Sequence, residues 1–182
     1  MPHSNLEKIT LAGGCFWCTE AIFKHLKGIT KVTSGYSGGY KPNPTYEEVC
    51  SGQTGHAEAI QIEFNPKVIS FEKILEVFFT LHDPTTLNRQ GADIGTQYRS
   101  VIFYHDQKQK KTAEKVKAEK SDEYSEKIVT EIVPFTAFYK AEPSHQNFYE
   151  NNKERPYCQV VINPKLKKLY KNFRGIIENE NV

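Results

Sequence analysis

The segment that most constrains the fold is a run of glycine, cysteine and aromatic residues near the N-terminus, Gly13–Glu20. Residues 8–12, which precede it, alternate between apolar and polar side chains, as in a β-strand. Residues 19–27, which follow it, have the apolar spacing of a helix. The two glycines at its start allow a close backbone approach at a tight turn. The sequence therefore predicts a strand, a glycine turn and a helix that begins near Cys15.

The start of a helix favours a negatively charged sulfur. Unpaired N–H groups and a partial positive charge lie there, so we expect the pKa of Cys15 to fall below the ordinary value of about 8.5. Cys18 follows three residues later, a spacing that leaves Cβ atoms roughly 5–6 Å apart on a helix and makes a Cys15–Cys18 disulfide feasible. The aromatic residues between them, Phe16 and Trp17, indicate redox or nucleophilic chemistry on a small apolar group.

The composition predicts one cytoplasmic domain that spans residues 1–182. A net charge of +2 gives no strong attraction to nucleic acid or to an anionic membrane. The chain start lacks the pattern of a signal peptide, and no apolar run approaches the ~18 residues that span a membrane. Four cysteines in a chain of this length favour reduced thiols over a disulfide scaffold.

The order of predicted elements resembles two split β-α-β units. This order predicts an α+β fold: a two-layer sandwich with a mixed or antiparallel sheet and a ferredoxin-like core. The lysine-rich stretch 108–120 also carries glutamates at helical spacing, which favours a solvated helix face over a nucleic-acid site. The predicted strands cover residues 8–12, 30–35, 57–64, 98–104 and 128–133. The predicted helices cover residues 16–27, 45–50, a segment after Ser70, 106–121 and 164–177. Thr45 and Glu48 are expected to cap the helix over 45–50.

Two long loops, 36–56 and 82–97, carry polar residues that could build a site. Each such residue also has a structural explanation, since a loop aspartate often caps a helix and a buried histidine is often only a packed side chain. The candidates in or beside these loops are Tyr46, Glu58, Asp93 and Tyr98, with His56 and His82 as expected structural histidines.

Other functions are open to the same cysteines. A thioredoxin-like thiol-disulfide oxidoreductase would use Cys15 and Cys18 on protein disulfides and would not need Glu58. A non-enzymatic redox- or metal-responsive binding module would hold zinc in stoichiometric amount. Because Cys50 and Cys158 stand apart, without a second Cys-x-x-Cys or a histidine pair, no metal site is expected.

Several blocks of the sequence, taken in order, resemble the A-type peptide methionine sulfoxide reductases. Six ordered blocks are far more specific than one Cys-x-x-Cys, and a seventh extends the match towards the C-terminus. The blocks are 14–17 with Glu20, 35–39, 43–46, 55–58, 82–85, 91–100 and 141–146.

This resemblance implies an oxidoreductase that repairs oxidised proteins. It would reduce methionine-S-sulfoxide, free or within proteins, by attack of the Cys15 thiolate on the sulfoxide sulfur, leaving a sulfenic acid. Phe16 and Trp17 would form the apolar pocket for the methyl group of the substrate. No bound cofactor is implied, and a monomer is expected.

The resemblance also implies how the sulfoxide oxygen is held. Glu58, Tyr46 and Tyr98 would bind that oxygen, and Asp93 would help to order the site. Glu58 can donate a proton only if burial raises its pKa, whereas the two phenols are neutral donors at any physiological pH. Donors aimed at the developing charge would stabilise the transition state.

A second thiol would resolve the sulfenic acid, and several candidates are open. Many family members carry such cysteines in a glycine-rich tail, but residues 159–182 contain none. Cys18 is the nearest candidate, Cys158 is second with a structural strand cysteine as its alternative, and Cys50 is third. An external thiol is also possible. Thioredoxin, or dithiothreitol in vitro, would be the reductant.

Overall fold

The structure, a computed structural model, describes residues 5–178; residues 1–4 and 179–182 of the predicted domain lie outside the described residues. The strands are β1 (Glu7–Gly13), β2 (Ile29–Ser37), β3 (Ala57–Phe64), β4 (Arg89–Gln90), β5 (Asp93–Ile94), β6 (Ser100–Tyr104), β7 (Glu131–Pro134) and β8 (Phe138–Lys140). The α-helices are α1 (Phe16–Lys24), α2 (Tyr46–Cys50), α3 (Phe71–Leu81), α4 (Gln107–Ser121), α5 (Phe148–Asn151) and α6 (Asn163–Phe173). Among the shorter turns, Thr96–Tyr98 is a 3₁₀ helix and Cys158–Ile162 a π-helix.

Within residues 5–178, a six-stranded mixed sheet has the order β7-β6-β1-β3-β2-β8, in which β6 and β7 are the one parallel pair. Helix α1 connects β1 to β2, which lie on either side of β3. Helix α3 and the loop that follows it connect β3 to β6, with β1 between these two strands. These are two split β-α-β units, so the predicted α+β fold with a ferredoxin-like core is confirmed.

The two faces of the sheet bury different side chains because successive residues of a strand point to opposite faces. Ile9 and Leu11 of β1 belong to the large core, together with Ile62 of β3 and Phe23 of α1. The opposite face carries a small cluster of Ala12, Ala57, Ala59, Val101 and Phe103. The larger core therefore lies between the sheet and the helices that include α1 and α3.

Several predicted element boundaries differ from those observed. Strand β7 begins at Glu131, although the sequence predicts a strand from residue 128. Helix α1 ends at Lys24 and not at residue 27, because Leu26 forms a β-bridge with Ile177 and the Lys27 N–H donates to the Ile176 carbonyl at 2.8 Å. The strand over 57–64 is confirmed, as are the caps at Thr45 and Ser70.

Helix α4 is the lysine-rich helix that the sequence predicts. Ala113 and Val116 are buried, whereas Lys115 lies at the surface between Glu72 and Glu119. Its charged face is therefore solvated. None of the helices within residues 5–178 is long and apolar enough to cross a membrane.

Candidate active site

The turn between β1 and α1 places Cys15 directly before the first helical residue, as predicted. Gly14 has a φ of 96°, and a Cβ atom there would lie 2.7 Å from Cγ of Gln90. Only glycine fits this backbone and this close approach. The Cys15 carbonyl then accepts a hydrogen bond from the Cys18 N–H at 3.1 Å, which closes the first turn of α1.

The two thiols of this turn are buried, and their acidities differ from the prediction. Cys15 is 7% exposed and Cys18 1%, and neither forms a disulfide. Burial raises the pKa of Cys15 well above 9.0, and a hydrogen bond to Cys18 and the charge of Glu58 raise it further. The pKa of Cys18 falls to about 7, first because Cys15 donates to it. The predicted lowering of the Cys15 pKa is therefore wrong for this arrangement, in which it is the pKa of Cys18 that is lowered.

Glu58 lies at the start of β3, where its carboxyl group points beneath the first turn of α1. Its Oε2 atom accepts a hydrogen bond from the Phe16 N–H at 3.0 Å, and the residue is 1% exposed. Burial raises the pKa of Glu58 to about 8, although this hydrogen bond opposes the rise. A protonated carboxyl group therefore lies next to the Cys15 turn at neutral pH.

Two phenols, Tyr46 and Tyr98, lie within electrostatic range of this carboxyl group. Burial raises the pKa of each phenol above 10.0, and the charge on Glu58 is the second cause in both cases. Tyr46 is the first residue of α2, and Tyr98 ends the 3₁₀ helix before β6. Both phenols are neutral hydrogen-bond donors at physiological pH.

Asp93 is connected to Cys18 through Tyr157, a residue for which the sequence predicts no role. Its Oδ2 atom accepts a hydrogen bond from the Tyr157 hydroxyl at 2.8 Å, and the same hydroxyl oxygen lies 3.6 Å from the Cys18 sulfur. Tyr157 directly precedes Cys158, and this adjacency is the only sequence signal that points to it.

The two aromatic residues between the cysteines have different surroundings. Phe16 is fully buried, with its ring centroid 5.7 Å from that of Tyr36. Trp17 is half-buried and stacks on Phe148, with centroids 3.7 Å apart and planes 6° apart. The Trp17 indole N–H donates to Nδ1 of His145 at 3.1 Å. His145 belongs to the 141–146 block, but the sequence analysis assigns it no role.

The remaining cysteines lie outside the turn. Cys158 is buried at the start of the π-helix and not in a strand. Burial raises its pKa, and negative charge on Cys18 raises it further. Cys50 is partly exposed at the end of α2. Among residues 5–178, no three His, Cys, Asp or Glu side chains are grouped so that they could hold a metal ion.

The arrangement therefore combines a buried thiol with neutral acids. Cys15 lies in the turn before α1, and the charge of Glu58 acts on Cys15, Tyr46 and Tyr98. Such a set can attack a polar sulfur or carbon centre while it donates protons to an oxygen on that centre.

Comparisons with known proteins identify the family of the chain. Residues 7–176 match the family model described as "Peptide methionine sulfoxide reductase". The chain is 58% identical to "Peptide methionine sulfoxide reductase MsrA" of Sulfolobus acidocaldarius over 92% of this chain and 96% of the relative. Reduced Mxr1 from Saccharomyces cerevisiae superposes with a TM-score of 0.81 at 40% identity, covering 87% of this chain and 91% of that one. Mxr1 in complex with Trx2 superposes at 0.58 with 31% identity, covering 81% and 87%. The chain belongs to the peptide methionine sulfoxide reductase family.

Proposed function

We propose that this protein reduces methionine-S-sulfoxide, free or within proteins, to methionine. Cys15 gives its proton to the Cys18 thiolate, to which it donates a hydrogen bond, and the Cys15 thiolate then attacks the sulfoxide sulfur and forms an S–S bond while Glu58 gives its proton to the sulfoxide oxygen. The hydroxyl group then moves from the methionine sulfur to the Cys15 sulfur while the S–O and S–S bonds to the methionine sulfur break. Methionine leaves, Cys15 becomes a sulfenic acid, and Glu58 takes back a proton from solvent. Tyr46 and Tyr98 donate hydrogen bonds to the oxygen as its negative charge grows.

The observation that carries this proposal is the buried acid next to the nucleophile. A sulfoxide oxygen leaves only when it is protonated, and an ordinary glutamate is ionised at neutral pH. Burial raises the pKa of Glu58 to about 8, so this carboxyl group holds its proton near pH 7. The neutral acid also removes a negative charge that would otherwise oppose ionisation of Cys15.

The binding of the rest of the substrate follows from the flanking residues. The methyl group enters an apolar pocket at Phe16 and Trp17, where Trp17 is the half-buried member. Asp93, held by Tyr157 at 2.8 Å, orders the opposite side of the site.

The catalytic cycle closes through a disulfide. The Cys18 thiolate attacks the sulfenic sulfur of Cys15, hydroxide leaves and is protonated to water, and a Cys15–Cys18 disulfide forms. A thioredoxin then supplies two thiols and becomes oxidised, which the complex of Mxr1 with Trx2 supports. All four cysteines are free, which suits a reducing cytoplasm. We also propose that the chain forms one catalytic domain and acts as a monomer.

The direct experiment follows reduction of methionine-S-sulfoxide with dithiothreitol as the reductant. We expect Cys15→Ser to abolish turnover. We expect Glu58→Gln to lower kcat/KM by about 10²–10⁴, because it removes the general acid but keeps an oxygen for the Phe16 N–H. Glu63→Gln, on the same strand but 30% exposed and paired with Lys8, is the matched control.

Full activity of Cys15→Ser would end the proposal. Reduction of insulin disulfides, without reduction of methionine sulfoxide, would instead favour the thioredoxin-like alternative. Turnover of the R-sulfoxide at the rate of the S-sulfoxide would contradict the assigned epimer.

A further inference from the structure

A small buried cavity lies beside the thiol of Cys18. Its volume is about 10 Å³, which is enough for at most one water molecule. Cys18 and His82 line this cavity together with one charged residue, Lys165, which lies near the start of α6. The thiol of Cys18 and the side chain of Lys165 therefore border the same water-sized space, although the two residues are far apart in the sequence.

Lys165 also lines a larger cleft, of about 560 Å³, that is open to solvent. Leu81, His82 and Lys165 line both spaces, so these three side chains form the boundary between the cleft and the buried cavity. Lys165 is partly buried at this boundary, whereas Lys167 and Lys168, on the same helix, are exposed. The Lys165 side chain is thus placed between bulk solvent and the Cys18 thiol.

The ammonium group of Lys165 forms no salt bridge with a carboxylate of residues 5–178. Asp83 and Glu126 line the outer cleft, but neither is paired with it. The partial removal of a charge from water is costly unless an opposite charge compensates for it. The Cys18 thiolate is placed to do so from the other side of the shared cavity.

The charge of Lys165 acts on both titratable groups that share the cavity with it. The pKa of Cys18 falls to about 7, first because of the hydrogen bond from Cys15 and also because Lys165 stabilises the thiolate. The pKa of His82 falls to about 4, first because of burial and also because Lys165 repels a second positive charge. His82 is therefore neutral near pH 7, and the positive charge at this cavity is that of Lys165.

The other titratable groups that face Cys18 or feel its charge are Cys15, Tyr157, Cys158, Glu58 and Asp93. The pKa values of the first four are raised, so these groups are uncharged near pH 7. The negative charge of Asp93 raises the pKa of Cys18 and so opposes its ionisation. Lys165 supplies the positive charge that offsets Asp93.

We infer that Lys165 is a positioning residue for the thiol chemistry: from across the cavity that it shares with Cys18, its ammonium group keeps the Cys18 sulfur ionised. This inference rests on the proposed function, in which that thiolate takes the proton of Cys15 and, ionised again, attacks the sulfenic sulfur. Lys165 contributes no atom to either step and acts through Cys18. A neutral side chain at position 165 would therefore slow both steps at neutral pH, and a rise in pH would remove the defect.

The first test follows the ultraviolet absorbance of thiolates while the reduced protein is titrated with base. Because the pKa values of Cys15, Cys50 and Cys158 are raised, Cys18 should be the thiol that ionises near pH 7. Lys165→Met should move this transition upward by about one pH unit, at the low end of the effect of a neighbouring opposite charge. Lys165→Arg keeps the charge and should restore the transition, whereas Cys18→Ser should lack it.

The second test measures how fast the Cys15–Cys18 disulfide forms in a single turnover without reductant, by rapid quenching and mass spectrometry. At pH 7, Lys165→Met should form it about fivefold more slowly than the wild type, because about a tenth of Cys18 is ionised in place of about half. The ratio of the two rates should approach one by about pH 9. A merely structural defect would lower the rate at every pH.

Lys168→Met is the matched control for both tests. Lys168 lies one position closer than a full turn along the same helix and lines the outer cleft, but its ammonium group donates to the Thr80 carbonyl at 2.7 Å. This variant should keep the thiolate transition and the rate of the wild type. Lys165→Gln is a second neutral variant, which keeps the inference testable if Lys165→Met does not fold.

A thiolate transition at the wild-type pH in the neutral variants would overturn the inference. A transition that moves without a change in the rate at pH 7, or a loss of rate that does not vary with pH, would overturn it as well. These results would leave the proposed function intact, because the wild type would still reduce methionine-S-sulfoxide. A wild type that does not reduce it would overturn the proposed function, and the role of Lys165 in its two steps with it.

Discussion

At the scale of single residues, a hydrogen bond separates the acidities of two buried thiols that would otherwise titrate alike. The Cys15 and Cys18 thiols lie one turn apart, yet the pKa of the first rises and that of the second falls to about 7. Cys15 thus donates its hydrogen bond to Cys18, and Lys165 adds a positive charge that favours the Cys18 thiolate. A sulfur that is ionised near neutral pH is well suited to attack a sulfenic acid.

The lowered pKa of Cys18 leads to the prediction that Cys18 is the resolving thiol. After one turnover without reductant, we expect the wild type to lose the mass of two hydrogens, as a Cys15–Cys18 disulfide requires. Cys18→Ser should instead gain the mass of one oxygen, because the sulfenic acid on Cys15 persists. Mass spectrometry of intact protein and of its peptides distinguishes these products.

Cys158→Ser is the matched control for this prediction, because Cys158 is also buried and feels the charge of Cys18. It should form the same disulfide as the wild type. A disulfide between Cys15 and Cys158 in Cys18→Ser would show that a second route to resolution exists. A wild type that keeps the sulfenic acid would exclude both internal routes.

The site residues predicted from sequence are those that belong to local motifs. Cys15 follows from the strand-turn-helix pattern, and Glu58 from its place at the start of a strand. The rise in the pKa of Cys15 was not predictable, since it depends on burial and on a carboxyl group 43 positions away. The contact between Trp17 and His145, 128 positions apart, is likewise set by tertiary packing.

At the scale of elements, the short helix α2 positions Tyr46. It has only five residues, and Tyr46 is its first. A helix this short is marginal by itself and depends on its ends. The Thr45 side chain accepts from the Glu48 N–H at 3.3 Å, and the Glu48 carboxylate accepts from the Thr45 N–H at 2.9 Å. This capping box fixes the first turn, and with it the Tyr46 ring.

Thr45→Ala should therefore affect both stability and activity. Loss of the cap should lower the free energy of unfolding by about 1 kcal/mol. It should also lower kcat/KM several-fold, because Tyr46 would no longer be held against the sulfoxide oxygen. Urea denaturation and steady-state kinetics measure the two effects.

Ser70→Ala is the matched control, because Ser70 caps α3 in the same way, at 3.1 Å from the Lys73 nitrogen. Helix α3 carries none of the proposed site residues, so this variant should lose similar stability with unchanged kcat/KM. Equal losses of activity in both variants would mean that α2 has no special role.

The elements that the sequence does not predict are the short ones. β8 has three residues at the sheet edge, and the β4–β5 hairpin has two residues in each strand. Runs of this length show no periodicity. They form because β8 pairs with β2, and because the Gly95 N–H bonds to the Asn88 carbonyl beside the hairpin. The long strands and helices carry their own patterns and were predictable.

At the scale of the whole molecule, the site is closed by contacts between distant parts of the chain. The first turn of α1 meets Glu58 of β3, His145 follows β8, and Tyr157 precedes the π-helix.

A second buried polar cluster links α3 to the sheet. His82 Nε2 lies 2.8 Å from the Ser100 hydroxyl, which lies 2.7 Å from that of Thr130. Both Glu58 and the buried His82 are uncharged at neutral pH.

Glu58 and His82 give the folding stability opposite dependences on pH. The pKa of Glu58 rises from 4.5 to about 8 on folding, so its favourable contribution is complete below pH 4.5 and is lost as pH rises to about 8. Burial lowers the pKa of His82 from 6.5 to about 4, so its contribution is present above pH 6.5 and is lost as pH falls to about 4. Between pH 4.5 and 6.5 the two slopes cancel.

Urea denaturation of Glu58→Gln across the pH range should isolate the contribution of Glu58 to the free energy of unfolding. The variant stays uncharged, so its advantage over the wild type should begin near pH 4.5 and be complete near pH 8. At about 1.4 kcal/mol per pH unit, the final difference in unfolding free energy is of the order of 5 kcal/mol. Glu63→Gln removes only a partly exposed pair with Lys8 and should change stability by at most about 1 kcal/mol. A Glu58→Gln advantage that does not vary with pH would show that Glu58 is ionised in the folded protein, and that it cannot be the acid that protonates the sulfoxide.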